Sequence, residues 1–323
     1  SRCQREGRGF EPLCPLQLLN VKNQNLATKI FQNYINNRDI RFFKRNIFYY
    51  FFYRALRQFF NKPLIVKIYD FYLFSDNKKT KASYSILQKC DFFDKAEINF
   101  IKEVSKKSSI FLIDCGSNFG FYSLFVCSLS NKNKVISIEA SPDTFKEFKN
   151  NIDLNKFNNI KYFNKAVSHV DNAIVELKES EKDWESSIIS SDYKVINSIK
   201  IDTITLDTVL REEILNEETL IIKIDVEGSD LDVLAGAKKI IHQYKPIIII
   251  EFSRYITQNQ RFNYDYLKAF LVQNEYEIYN NNGKTLSVDD ILSEINKLDK
   301  IHNTIGNYFL FKKENKSYKD YLR

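Results

Sequence analysis

Three short runs hold the side chains able to do chemistry in this sequence. The first is Asp114-Cys115-Gly116-Ser117-Asn118-Phe119-Gly120, which follows the apolar run Ile110-Phe111-Leu112-Ile113. A buried strand ending in an acidic residue, then a glycine loop, then an amphipathic helix, describes a nucleotide-type cofactor site. A dinucleotide loop uses Gly-x-Gly-x-x-Gly, because a pyrophosphate must approach the backbone and the helix N-terminus closely. Here Gly116 and Gly120 remain, but the middle glycine is replaced and Asn118 lies between them. Asp114 is expected to point a carboxylate at the same spot, repelling a pyrophosphate and suiting a cationic amine. S-adenosylmethionine carries an ammonium, a sulfonium and no phosphate, so it is the expected cofactor, ahead of a nicotinamide dinucleotide.

The second run is Glu139-Ala140-Ser141-Pro142, in which Glu139 lies 25 positions after Asp114. An acidic residue about 20 positions beyond the glycine loop can accept hydrogen bonds from ribose hydroxyls. Pro142 is an ordinary first-turn proline. The third run, Lys223-Ile224-Asp225-Val226-Glu227-Gly228, sets two carboxylates at the carboxyl edge of an apolar strand, where ligands of open α/β sheets bind. Acidic residues in a first helical turn would also account for this run. Lys223 inside such a strand needs a charged partner, and a nearby carboxylate is the obvious one. Glu251, before Phe252 and Ser253, is a weaker candidate of the same kind.

The elements that must position these runs follow a regular βα alternation. Strands are expected at 110–114, 134–139, 160–167, 219–225 and 246–252, with late strands at 275–280 and 306–312. Helices are expected at 94–104, 119–130, 142–155, 206–214, 229–243 and 263–274. The runs Leu220-Ile221-Ile222 and Ile247 to Ile250 suit central parallel strands buried on both faces. Residues 64–74 alternate like one strand, with a turn at Ser75-Asp76-Asn77, and 20–60 read as helical. Between 170 and 205 an irregular or hairpin-like insertion holds the only tryptophan, Trp184.

Composition narrows the class. The 323 residues are 44% hydrophobic and 15% aromatic, enough to bury a sizeable core. No apolar run approaches the roughly 20 residues that span a bilayer. Residues 1–70 carry 13 Lys and Arg against four Asp and Glu, whereas the remainder carries 35 against 37. The basic excess therefore lies in the leader, and no nucleic-acid partner is expected; a weak membrane-surface contact through the basic aromatic leader is compatible. Five cysteines without metal spacing, together with His169, His242 and His302 far apart, argue against a disulfide framework or a metal site. A reducing cytoplasm is expected. No Gly-x-Ser-x-Gly elbow or Walker loop is present.

Residues 1–17 are rich in Arg, Gly, Pro and Cys, and the chain has no methionine. They are read as upstream read-through that takes no part in the fold. A basic aromatic helical and hairpin extension at 18–105, a domain at 106–313 and a tail at 314–323 complete the expected organisation.

The chain resembles the FkbM-type methyltransferases, a branch of the class I S-adenosylmethionine-dependent enzymes. The matching pieces are the 114–123 run, Glu139-Ala140-Ser141-Pro142, Asn164 to Ser168, Ser186-Ser187, Thr205 to Leu210 and Lys223 to Ala237. Pro246 with the isoleucine run and Glu251, and Asn307-Tyr308-Phe309-Leu310-Phe311, extend the resemblance, which covers 64–312 in order. Cys115 and Ser117 depart from it, standing where members more often have valine or isoleucine and alanine. The resemblance implies an α/β, Rossmann-like, mostly parallel sheet of seven strands with the last antiparallel. It implies O-methylation of a sugar, surface-glycan or small-metabolite hydroxyl. Asp114, Gly116, Asn118 and Gly120 would line the methionine part of the cofactor, with Ser117 and Phe119 among the cofactor-binding residues of the same loop. Glu139 would hold the ribose, its neighbour Ala140 would also bind the cofactor, Ala166 would lie near the adenine, and Asp225 with Glu227 would face the transferred methyl. The rival readings are a methyltransferase of protein or nucleic acid and a non-catalytic binding module.

Overall fold

The computed structural model describes residues 64–75, 94–180, 195–213, 215, 218–253, 263–297 and 304–322. The leader, the helical reading of 20–60, Trp184 and the Ser186-Ser187 pair lie outside them. The chain opens with β1 (Leu64–Ile68), β2 (Phe71–Ser75), α1 (Lys95–Ser105), β3 (Ile110–Cys115) and α2 (Phe121–Leu129). Then come β4 (Lys134–Ile138), α3 (Pro142–Asn155), β5 (Ile160–Phe163), β6 (Ala166–Val167), β7 (Ile174–Ser180) and β8 (Val195–Ile204). One helical turn, α4 (Leu206–Val209), precedes β9 (Thr219–Ile224), α5 (Asp230–Ala235), α6 (Lys238–Tyr244), β10 (Ile247–Ser253) and α7 (Tyr264–Gln273). The chain closes with β11 (Tyr276–Tyr279), β12 (Thr285–Leu286), α8 (Val288–Ile295), β13 (Thr304–Lys312) and 3-10 turns over Lys313–Tyr321.

The main sheet has the order β12-β11-β13-β10-β9-β3-β4-β5. Strands β5, β4, β3, β9 and β10 run parallel, and β13 inserts antiparallel between β10 and β11. This is the expected sheet with one addition, the two-residue edge strand β12. The alternation of strand side chains divides the core into two layers. Phe111, Ile113, Ile222, Ile224, Ile248 and Ile250 face one layer. Ile110, Leu112, Ile221, Ile247 and Ile249 face the other, under α1 and α2. By the same parity Asp114, Lys223 and Glu251 belong to the α1/α2 side, and Asp114 and Lys223 are direct register partners.

Four expectations change in detail. Residues 64–74 form an antiparallel hairpin, not one strand, because Tyr69 takes a left-handed φ of 50° and reverses the chain at Tyr69-Asp70. Residues 160–167 split, and β6 leaves the main sheet for a small one of order β6-β8-β7, in which β7 and β8 form the expected hairpin. The helix at 206–214 is a single turn. The helix at 229–243 breaks at Gly236, where a Cβ would sit 2.2 Å from the Ser168 carbonyl oxygen.

Segments placed outside the domain by sequence share its core. Asn151 Oδ1 accepts the Phe74 amide (2.7 Å) and Asn155 Oδ1 the Tyr72 amide (2.6 Å), docking the hairpin on α3. Phe100 of α1 packs 5.0 Å from Phe309, with Tyr318 and Tyr321 of the last turns against it. Among the described residues no helix is long and apolar enough to cross a membrane.

Candidate functional site

A cleft of about 230 Å³ opens at the carboxyl ends of β3, β4, β9 and β10. Gly116 and Asn118 come from the β3 loop, Glu139 and Ala140 from the end of β4, Asp225, Glu227 and Ser229 from beyond β9, and Glu251 from β10. Lys165, Ala166, Val167 and Leu177 close the side nearest the small sheet.

The β3 loop uses all its own amides. Gly116 N–H (2.9 Å) and Ser117 N–H (3.1 Å) both donate to the Ile138 carbonyl, and Gly120 N–H donates to Ser117 O (2.8 Å). Asn118 N–H donates to Glu139 Oε2 (2.8 Å), and Phe119 N–H to Asn118 Oδ1 (2.8 Å). No backbone amide in 116–120 is left over for a phosphate, which needs such groups pointed at it. Asn118 tolerates its left-handed φ of 52° because its short amide bonds locally. Gly116 is required by packing: its φ is 76° and a Cβ would lie 1.9 Å from the Asp225 carbonyl oxygen.

The sequence-predicted residues divide into two groups. Gly116, Asn118, Glu139, Ala140, Ala166, Asp225 and Glu227 line the cleft. Asp114, Ser117, Phe119 and Gly120 do not. Asp114 is 1% exposed and accepts from Ser123 Oγ at 2.5 Å, on the layer facing α2, so its carboxylate lies beneath the loop and not in the cleft lining. Phe119 is buried in the α2 layer, and a Cβ on Gly120 would meet the Phe148 ring at 2.2 Å. Glu139 has a bracing task the sequence did not announce, since Oε1 accepts Ser141 N–H (2.8 Å) while Oε2 accepts Asn118 N–H. Each carboxylate oxygen keeps a second lone pair for a hydroxyl donor. Burial pushes Glu139 up to about 7, against the pull of those two amides.

Asp225, Glu227 and Glu251 form a carboxylate cluster whose ligand atoms all lie within 4.8 Å of one another, a spacing that can hold a metal ion. The expectation of no metal rested on the scattered histidines and cysteines and did not weigh this group. Lys223 Nζ donates to Asp225 Oδ2 at 2.7 Å, answering the charge that the sequence left to be paired. Burial alone would raise Asp225, but the Lys223 charge and hydrogen bonds from Glu251 and Lys223 hold it below the usual carboxylate range. Glu251 goes the other way, pushed well up by burial and by the charges of Asp225 and Glu227. The two carboxyls are thus pushed in opposite directions, an arrangement suited to moving a proton. Asp230 braces the loop beneath, accepting Val226 N–H (3.1 Å) and Gly228 N–H (3.0 Å), and burial lifts it to about 7.

Sequence reading missed Lys165 and Leu177 as cleft residues. Leu177 lies on the β7–β8 hairpin, and only its place in the small sheet brings it to the cleft. His169 pairs with Asp232 at 3.1 Å and is not among the cleft residues. Cys115 and Cys127 are buried free thiols, as expected.

The model of the methyltransferase FkbM domain matches residues 114–301, more than half of the chain. Among solved structures, the chain is similar to the methyltransferase FkbM from Methylobacillus flagellatus, at 17% identity and a TM-score of 0.39. That likeness covers 70% of this chain and 52% of the other, so this chain spans about half the length of that relative. An rRNA methylase from Streptococcus thermophilus is 11% identical over 69% of this chain and 99% of its own, with a TM-score of 0.36. M. jannaschii TYW2 in complex with AdoMet is 14% identical over 78% of this chain and 84% of its own, with a TM-score of 0.35. No curated protein matches the sequence.

Proposed function

The chain belongs to the FkbM methyltransferase family, and from that premise we propose an S-adenosylmethionine-dependent O-methyltransferase acting on a hydroxyl of a sugar, surface glycan or small secondary metabolite. The observation that carries this reading is the β3 loop, whose five amides are all engaged internally while carboxylates face the cleft. Such a loop suits a cationic ligand and offers no cradle for a pyrophosphate. Gly116 and Asn118 would lie against the methionine part of the cofactor, Glu139 and Ala140 against the ribose, and Ala166 with Leu177 against the adenine. Bound there, the cofactor supplies an electrophilic methyl group on a sulfonium.

This chain's own residues supply position and a base. Asp225, held as a carboxylate by Lys223, takes the proton of the acceptor hydroxyl as its oxygen becomes the nucleophile. Glu251 keeps its proton and steadies Asp225 by hydrogen bonding, while Glu227 orients the acceptor. General-base help is worth about 10²–10⁴-fold, and alignment contributes several kcal/mol more. A reducing, cytoplasmic setting belongs to this reading and suits the free thiols. The acidic cluster disfavours a polyanionic acceptor, so neither nucleic acid nor a membrane surface is taken as substrate.

The test is transfer of labelled methyl from S-adenosylmethionine to nucleotide sugars and cell-surface glycan fragments, with RNA and protein as comparison substrates. Label is expected on a sugar hydroxyl, and Asp225→Asn is expected to lower turnover by about 10²–10⁴-fold while cofactor affinity stays within a few-fold. Label entering RNA or protein instead, or unchanged turnover in Asp225→Asn, would refute the assignment.

A further inference from the structure

We propose that Lys223 is a positioning residue, a buried cation that selects Asp225 from the carboxylate cluster as the one that takes the acceptor's proton. The inference rests on the reading of Asp225 as base and deepens it.

The ammonium has little freedom to do anything else. The Lys223 side chain is 3% exposed, Nζ sits 2.7 Å from Asp225 Oδ2, and the Tyr122 ring lies 4.7 Å away as a cation–π partner. Asp225 is the one carboxylate within ion-pair distance of it among the described residues. Tyr122 is itself held, its hydroxyl donating to Asp94 Oδ2 at 2.6 Å. The charges of Asp94 and Glu97 at the start of α1, Asp114 on β3, Asp225 beyond β9 and Glu251 on β10 all act on this cation, while Asp225 and the Tyr122 ring of α2 touch it. The side chains of the cluster therefore compete for one positive charge, and geometry awards it to Asp225.

Asp94 and Glu97 precede the family-matched stretch 114–301. The segment before the matched stretch thus reaches the lysine through Asp94, which holds the hydroxyl of the Tyr122 ring that lies on it.

The experiment is carboxyl carbon-13 NMR of the full chain labelled at Asp and Glu, read beside the pH profile of kcat/KM for the acceptor found in the screen. Lys223→Met is expected to raise the titration of Asp225 by about 1–3 pH units and to move the acid limb of the profile up equally. Lys223→Arg is expected to restore both. Should Lys223→Met fail to fold, Tyr122→Leu, which keeps the lysine but removes its ring and the link to Asp94, is expected to raise Asp225 in the same direction. An Asp225 resonance unmoved in a folded variant, while Asp225→Asn has lost turnover, overturns the role of Lys223 alone. A moved resonance with an unmoved profile overturns Asp225 as base and this inference with it. Turnover that requires added Mg²⁺ and is indifferent to Lys223→Met would place a bound cation beside Asp225 and also overturn it.

Discussion

Replacing Gly116 by alanine separates two reasons for a glycine in a cofactor loop. If the glycine serves ligand approach, the apo protein tolerates a methyl group; if it serves packing, the fold itself suffers. The structure favours packing. At φ 76° a residue with a Cβ costs about 1–2 kcal/mol. The added carbon would lie 1.9 Å from the Asp225 carbonyl oxygen, a backbone atom that cannot rotate aside because Asp225 N–H is bonded to Cys115 O (3.0 Å). Relieving such overlap in a packed interior costs about 1–3 kcal/mol more. Gly116→Ala is therefore expected to lose about 2–5 kcal/mol without any ligand, a fall of roughly 5–15 °C in Tm. Gly283→Ala is the control, because Gly283 has nearly the same φ of 73° but a Cβ there would meet its nearest atom, Lys319 O, at 3.1 Å. It should cost little beyond the backbone term. Urea melts of the two variants measure the difference, and equal losses would show that the Asp225 contact carries no energy.

Two further outcomes follow from the buried carboxylates. Glu97 is 1% exposed and burial lifts it to about 7 from the usual 4.5. A raised carboxyl contributes stability that is complete below about 4.5 and lost as pH rises through about 7, a span worth about 3 kcal/mol. Glu97→Gln should remove that share, so the variant gains on the wild type between pH 5 and pH 8 in urea melts; a constant difference would sink the assignment. Glu139→Ala leaves the Asn118 and Ser141 amides without acceptors, so a loss of about 1–3 kcal/mol is expected together with about 10–100-fold weaker cofactor binding. Lost stability with unchanged affinity by calorimetry would make Glu139 a loop brace only.

Strand positions were legible because the central strands are buried on both faces and read as unbroken apolar runs, as in Ile110 to Ile113 and Ile247 to Ile250. That Lys223 would pair with a nearby carboxylate was legible, because a charge inside an apolar strand needs a partner; that Asp225 is that partner came from the structure. The direction of Asp114 was not legible. Its parity with Ile110 and Leu112 turns it toward α2, but which layer packs under that helix is a property of the assembled sheet. Asp94, Glu97 and Tyr122 around Lys223, and Leu177 in the cleft, come from distant parts of the chain, and no local pattern announces such contacts. Gly116 was marked as a cofactor-loop residue, and its packing against the Asp225 carbonyl was not legible, since a close backbone approach looks the same in sequence whether the neighbour is a ligand or a strand end.

The cleft, as proposed, takes a cationic methyl donor and not a phosphate-bearing dinucleotide. Titration calorimetry of the full chain with S-adenosylmethionine and, separately, with NAD tests this most directly. Binding of S-adenosylmethionine with a Kd on the order of micromolar is expected, with no heat from NAD. Binding of NAD, or silence from both, would contradict it.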